Sequence, residues 1–204
     1  MNKIITISRE FGSGGRELGK RLAKILNIAY YDHEIITMIA SKSGLEQNYV
    51  DSVVDNIPFS HSIISGRTLS NIVSPLLDLN VQIYARQREI VREIASKSDC
   101  LIIGRCSDYL LRDYNPFNIF VYADVEARLQ RCRQNAPEGE DLSDAELKNK
   151  ILTIDKNRAK YYKFFTSRKW GQKENYHLCL NTSGVIHKEM AMPLSELLKV
   201  MTGY

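Results

Sequence analysis

With 204 residues, 44% hydrophobic and 25% charged, the chain is long enough to bury a core and reads as one soluble domain. Its net charge of +4 leans toward anionic ligands, but the charge is too small and too scattered to argue for a nucleic-acid partner. No signal-peptide h-region and no apolar run of the roughly eighteen residues a membrane helix needs is present, so the expected location is the cytoplasm, with no membrane partner. Cys100, Cys106, Cys132 and Cys179 lack C-x-x-C spacing and read as reduced thiols rather than zinc ligands or disulfides.

In chain order, short runs rich in β-branched or aromatic residues predict strands at 3–7 (KIITI), 28–31 (IAYY), 100–104 (CLIIG), 118–123 (NIFVYA) and 176–181 (YHLCLN). Between the first two, Leu18, Leu22, Ile25 and Leu26 make an apolar stripe opposite Arg16, Lys20, Arg21 and Lys24, which predicts an amphipathic helix. A second helix is expected over about 33–43. A third, over about 81–97, carries Tyr84, Val91, Ile94 and Ala95 on one face. A fourth opens at Asp124 with Val125, Leu129 and Cys132 inward. Ser143 and Glu146 have capping-box spacing, so a long helix is expected from 144 to about 165. Strands alternating with helices imply an α/β fold with a parallel sheet wrapped by crossovers. Two segments interrupt the alternation: 44–80, whose turn-rich stretch DNIPFSHSIISGRTLS reads as poorly anchored, and the acidic loop QNAPEGEDL at 134–142.

The stretch ISREFGSGGRE is the first with evident chemistry. Gly12, Gly14 and Gly15 stand between a strand and an amphipathic helix, where glycines let backbone N–H groups curl around a phosphate. A plain tight strand-to-helix turn is the other reading. A complete Walker loop ends in G-K-[ST], the lysine neutralising β/γ-phosphate charge and the hydroxyl holding magnesium. Here Gly15, Arg16 and Glu17 follow the last framework glycine.

Aligned without gaps, ITISREFGSGGRELGKRLA resembles the opening of bacterial cytidylate kinases, and more closely the cytidylate kinase-like family, whose members open with ISREFGSGGRE. The likeness continues through YYDHEI, REIVREIASKSDCLIIGRCSDYLL, FVYADVEARLQR and DKNRAKYYKFFT. It implies a three-layer P-loop kinase fold with a five-stranded parallel sheet. The core would be 1–43, 81–133 and 165–204, with a monophosphate-binding insertion at about 44–80 and a lid at about 134–150. It also implies ATP as phosphoryl donor, Mg2+ if the chain is catalytic, and a nucleoside monophosphate such as CMP or dCMP as acceptor.

The departures from the family pattern fall in the loop and at the third strand. Gly15, Arg16 and Glu17 occupy the places of Lys, Gly and Thr, and Ile103 that of a strand-end Asp. Gly12, Ser13, Gly14 and Gly15 would then cradle the donor phosphates, with Arg16 replacing the lysine electrostatically through a planar, five-donor head. Glu17 reads either as a magnesium ligand or as a helix-start carboxylate favoured by the dipole. Arg9 either reaches the same phosphates or pairs with Glu10 or Glu17.

Arg105 follows Gly104 at the carboxyl end of the third strand, where parallel sheets bind ligands, and the matching arginine of cytidylate kinases contacts the monophosphate. The alternative is a salt bridge to Asp108, which partly replaces an acid that is Cys106 here. Farther on, Leu147, Ile151, Ile154, Arg158, Tyr161 and Phe165 recur at alternating spacings of four and three, which puts Arg158 on an apolar stripe. Either Asp155 or an anionic ligand must satisfy it. The resemblance gives Arg158 the role of bridging the two phosphoryl groups and adds Asp32, Asp108 and Asp155 to the substrate-binding set, with His33 beside Asp32. Arg131 and Arg133 read either as helpers near the lid or as a solvated helix face. Tyr161, Tyr162, Phe164, Phe165 and Trp170 read as core and helix-end packing rather than a base-stacking surface, and the histidines show no ligand or triad spacing. The functional expectation is a nucleotide-dependent phosphotransferase with Arg16, Arg105 and Arg158 as its catalytic cations. A catalytically impaired nucleotide or phosphometabolite binder of the same fold is the alternative.

Overall fold

The computed structural model describes residues 2–54, 70–137, 141–186 and 188–202, with the backbone alone at 70–77 and 202. In chain order the elements are β1 (Ile4–Arg9), α1 (Gly15–Leu26), β2 (Ala29–Tyr31), α2 (Glu34–Ser43), α3 (Gln47–Val54), α4 (Ser70–Lys97), β3 (Cys100–Ile103), the single turn α5 (Ser107–Leu110), β4 (Phe117–Tyr122), α6 (Val125–Gln134), α7 (Asp144–Thr166), β5 (Leu178–Asn181) and α8 (Ala191–Thr202). The strands form one parallel sheet in the order β2-β3-β1-β4-β5, with Ile7 beside Ile103 on one side and Ile119 on the other.

Strand alternation divides the core in two. Ile5, Ile7, Leu101, Ile103, Ile119 and Val121 face α1 and α8, while Ile4, Cys100 and Ile102 face the layer that includes α2, α3, α4 and α7. Such two-sided burial explains why these strands read as continuous apolar runs. All four cysteines are free thiols. Of the aromatic residues expected in the core, Tyr161 and Tyr162 of α7 are buried, Phe165 stacks on Tyr84 with centroids 3.9 Å apart, and Trp170, beyond α7, meets Phe120 edge-on at 5.3 Å, whereas Phe164 is exposed. Among the described residues no helix is long and apolar enough to cross a membrane.

Three expectations need correction. The buried side of α1 is Gly15, Leu18, Gly19, Leu22 and Ala23, whereas Ile25 is exposed. A Cβ at Gly19 would stand 2.7 Å from Ile103 Cδ1, so the helix lies too close to the sheet for a larger residue, and the contact face is set by small residues. On α6 the buried residue is Arg128, with Val125, Leu129 and Cys132 only half-buried. The third helix begins at Ser70 rather than 81 and runs through Ser74-Pro75, although a residue before proline is biased away from helical backbone. The described part of the 44–80 segment is also anchored, since α3 buries Val50, Val53 and Val54 in the core. The turn-rich stretch 55–69 and residues 138–140 of the acidic loop lie outside the described residues.

Candidate functional site

The ends of β1 and β3, the start of α1, and residues of α3, α6 and α7 border a cleft of about 880 Å³. Its wall carries Arg9, Arg16, Arg105, Arg131, Arg133, Lys150, Arg158 and Lys188 against the carboxylates of Glu10, Glu17 and Asp51. That balance favours a multiply charged anion.

The glycine loop forms the floor on the β1 side. Gly12 and Gly14 have φ of +77° and +81°, which only glycine adopts without strain, and the Gly14 carbonyl accepts the first helical bond of α1 from Leu18 at 3.0 Å. Gly12, Gly14 and Gly15 line the cleft. Ser13 does not: it is fully buried, its carbonyl accepts from the Thr182 hydroxyl at 2.7 Å, and its own hydroxyl accepts a long bond of 3.4 Å from the Gly15 N–H. Arg131 clamps the same loop from α6, donating to the carbonyls of Gly12, Ser13 and Thr182 and, at 3.1 Å, to the Thr182 hydroxyl.

Asp32, just beyond β2, is buried and gathers two arginines. Arg16 Nε lies 2.5 Å from its Oδ2 and Arg9 Nη2 3.8 Å from its Oδ1, with the Tyr30 hydroxyl 3.4 Å away. Asp32 therefore stands behind the arginines and is not itself part of the cleft lining. Arg9 thus reaches Asp32, while Glu10 is bound by Arg128 at 3.1 Å and Glu17 by Arg21 at 2.6 Å. Glu17 does line the cleft.

Arg105 occupies an unusual backbone. Gly104, Arg105 and Cys106 have successive φ values of +66°, +58° and +52°, a left-handed run that ends β3 and turns the Arg105 side chain toward the cleft. The fully buried Gln87 of α4 donates to the Arg105 carbonyl at 2.8 Å. The Arg105 side chain is 3% exposed, and its Nη2 lies 3.8 Å from Asp51 of α3, which also sits 4.0 Å from His33 Nδ1. Asp108, the alternative partner for Arg105 and a member of the expected substrate-binding set, is elsewhere: its carboxylate is buried in α5, where it accepts from the Tyr162 hydroxyl at 2.6 Å, and it does not line the cleft. Burial pushes the Asp108 pKa above the usual carboxylate range, although the Tyr162 bond pulls the other way.

Arg158 holds the place its spacing predicts. Its Nη1 is 3.5 Å from Asp155 and 3.3 Å from the Arg9 carbonyl, its guanidinium lies 5.7 Å over the Phe11 ring, and it lines the cleft. Asp155 thus satisfies part of Arg158 without facing the cleft. It also accepts from the Phe11 N–H at 2.9 Å and from Arg128. Arg128, which the sequence reading passed over, binds Glu10, Asp155 and the Phe11 carbonyl, at 2.7 Å for the last, while almost completely buried. Its register with Val125 and Cys132 was the signal available. Burial raises the pKa of both Glu10 and Asp155, with Arg128 opposing the shift in each case. Asp51, Lys150 and Lys188 were likewise not anticipated.

Comparison with known proteins places this geometry. Cytidylate kinases of Clostridium tetani and Chlamydia caviae are each 25% identical to the chain, over 150 residues (64% of this chain, 66% of that protein) and 174 residues (74% and 80%). The chain thus spans just under two thirds of the Clostridium protein's length. A crystal structure of an uncharacterized protein from Eubacterium ventriosum superposes with a TM-score of 0.71 at 24% identity, covering 98% of this chain and 99% of that one. Shikimate kinase from Bacteroides thetaiotaomicron superposes at 0.58 and 14% identity over 99% of both chains, and that from Acinetobacter baumannii, in complex with shikimate, at 0.55 and 16% over 99% and 96%. These structures share the fold: a five-stranded parallel sheet with helices on both sides. The family model described as cytidylate kinase-like matches residues 4–184, which takes in every strand, the glycine loop and all the arginines of the cleft, and the chain accordingly belongs to the cytidylate kinase-like family.

Proposed function

We propose that the chain transfers the γ-phosphoryl group of ATP to a nucleoside monophosphate, with CMP or dCMP favoured by family membership. The observation that carries this reading is the cleft itself: a glycine loop at a helix N-terminus and a converging set of arginines from β1, β3 and α7 line one space. Phosphoryl transfer asks little of a protein beyond alignment and charge neutralisation. The N–H groups of Gly12 and Gly14 and the start of α1 hold the donor phosphates. Arg105 takes the acceptor phosphate, and Arg158 spans the two phosphoryl groups. The acceptor's phosphate oxygen forms the new P–O bond as the β,γ-bridging bond breaks, and the electron pair of that bond leaves with ADP. Arg16, at the rim on Asp32, adds positive potential.

Mg2+ takes hard oxygen ligands and needs only one or two carboxylates beside substrate phosphates. Glu17 meets that requirement, being a carboxylate on the cleft wall whose present partner, Arg21, is on the exposed face of α1. When bound there, Mg2+ would neutralise charge on the donor's phosphate oxygens. The segments 44–80 and 134–150 serve in this reading as acceptor-binding insertion and lid, and the free cysteines suit a reducing cytoplasm.

The test is a calorimetric panel of nucleoside mono- and triphosphates with and without Mg2+, followed by a transfer assay on those that bind. Turnover of CMP or dCMP supports the proposal. Binding of nucleotides without turnover favours the impaired binding module, and no binding rejects both.

A further inference from the structure

We infer that the cation missing from the glycine loop is supplied by Arg9, through an exchange of side chains between the end of β1 and the start of α1. The inference rests on the phosphotransferase reading and names which residue does the work of the loop lysine. Gly15 stands where that lysine would be, and the structure shows why it is glycine. A Cβ at position 15 would lie 2.7 Å from the Arg9 Cβ and 3.1 Å from the Val121 Cβ, both parts of rigid strands. A side chain at 9 and a side chain at 15 therefore exclude each other, and the loop has kept the one at 9.

The course of Arg9 reinforces this. Its guanidinium crosses Gly104 at the end of β3, so closely that a Cβ there would overlap Nη1. Two glycines, one on each neighbouring element, thus make the channel in which Arg9 runs. It ends against Asp32, 3.8 Å away, and its side chain is 11% exposed. Arg9 lines the main cleft, and with Arg105 and Arg158 it also lines a small recess of about 30 Å³ behind it. It is the arginine that joins the donor loop to the acceptor arginines. Arg16 is placed differently: its side chain is 62% exposed and it reaches Asp32 from the rim. A guanidinium fixed by packing and by a carboxylate meets phosphate oxygens in a preset orientation, which a rim side chain does not offer. Arg9 accordingly donates to the γ-phosphoryl oxygens during transfer.

The exchange can be reversed experimentally. ATP affinity by calorimetry and phosphoryl transfer are measured for wild type, Arg9→Gly, Arg9→Lys, Arg9→Gln, Gly15→Lys and the double variant Arg9→Gly/Gly15→Lys, each checked for folding by thermal unfolding. Arg9→Gly and Arg9→Gln should weaken ATP binding by roughly ten- to a hundred-fold, with Arg9→Lys keeping much of it. Gly15→Lys alone should fold poorly or bind weakly, while the double variant, with the 2.7 Å Arg9 contact removed, only the 3.1 Å approach to Val121 left to be absorbed and a cation restored at 15, should recover much of the affinity. Arg16→Ala should cost less than Arg9→Gln. Wild-type affinity in Arg9→Gln, or a double variant no better than Arg9→Gly, overturns the assignment of Arg9 alone. A wild-type protein that gives no heat with ATP or pyrophosphate overturns the phosphotransferase reading and this inference together.

Discussion

Gln87 Nε2 donates to the carbonyl oxygen of Arg105 at 2.8 Å, and this one bond reaches from the interior of α4 to the backbone that aims the arginine. Two of the three residues in the left-handed run 104–106 carry side chains, so the run costs roughly 1–3 kcal/mol at each of them and persists because its surroundings hold it. Gln87→Leu removes the donor while filling similar space. It should lower stability by about 1–3 kcal/mol and weaken acceptor binding more than ATP binding. Thermal unfolding and separate titrations with CMP and ATP read the two effects. Equal losses for both nucleotides would mean that Gln87 supports the domain at large and not the Arg105 turn.

Arg128 should be the most sensitive residue outside the cleft wall. It holds Glu10 through Nη1 and Asp155 through Nη2, and Arg128→Met leaves Glu10 without its cation and Asp155 with Arg158 alone. Breaking a buried pair in this way costs about 3–5 kcal/mol. Without Arg128 both carboxyls take up protons more readily, so the loss should be larger at pH 8 than at pH 5. Urea unfolding at the two pH values measures this, and a loss independent of pH would show that the packing of Arg128, not its charge, matters.

Asp108 carries a pH effect whose sign follows from burial. Its folded-state pKa is raised, so the folded protein binds this proton more tightly than the unfolded chain does. The associated stability is fully present below the ordinary carboxylate range and is lost as pH rises through the raised value. Glu10 and Asp155, shifted in the same direction, add to the slope. Asp108→Asn keeps an acceptor for the Tyr162 hydroxyl and removes the titration. The variant should therefore gain on wild type between pH 4 and pH 7, with its stability falling less over that interval. Parallel curves for the two proteins would show that Asp108 is not the source of the slope.

What the sequence made legible was what local pattern encodes. The inner strands β1, β3 and β4 stand out because burial on both faces makes them nearly continuous apolar runs, the half-buried edge strands β2 and β5 through their β-branched or aromatic neighbours, and α7 because Ser143 and Glu146 form the capping box that their spacing predicts. Arg158 was visible as a cation interrupting an apolar stripe. The partners of the cleft arginines, and of Arg128 behind them, were not visible, since Arg9 with Asp32, Arg105 with Asp51 and Arg128 with Asp155 are joined only when the sheet brings separate elements together. The alternative pairing of Asp108 with Arg105 rested on nearness in sequence, but the α5 turn points the Asp108 carboxylate at Tyr162. The reason for Gly15 lay in a contact with Arg9 across the loop, which no spacing rule contains.

The proposal that residues 134–150 act as a lid predicts opening at a specific joint. Arg133, in the last turn of α6, donates to Asp144 Oδ1 from Nε at 3.2 Å and Nη2 at 2.8 Å, tying it to the first residue of α7 across the acidic loop. Arg133 also lines the cleft, so an incoming anion competes with Asp144 for it. The pair is largely solvated and should contribute no more than about 1 kcal/mol. Asp144→Asn should thus leave the unfolding temperature almost unchanged, while amide exchange in the last turn of α6 and the first turn of α7 becomes faster. Ser143→Ala should cost about 1 kcal/mol, because the Glu146 N–H then loses the cap that it reaches at 3.3 Å, and exchange at Glu146 should rise most. A bisubstrate analogue should slow exchange in this joint and in the glycine loop together. If the analogue protects the loop but leaves residues 131–147 exchanging as before, the segment lines the site without closing over it.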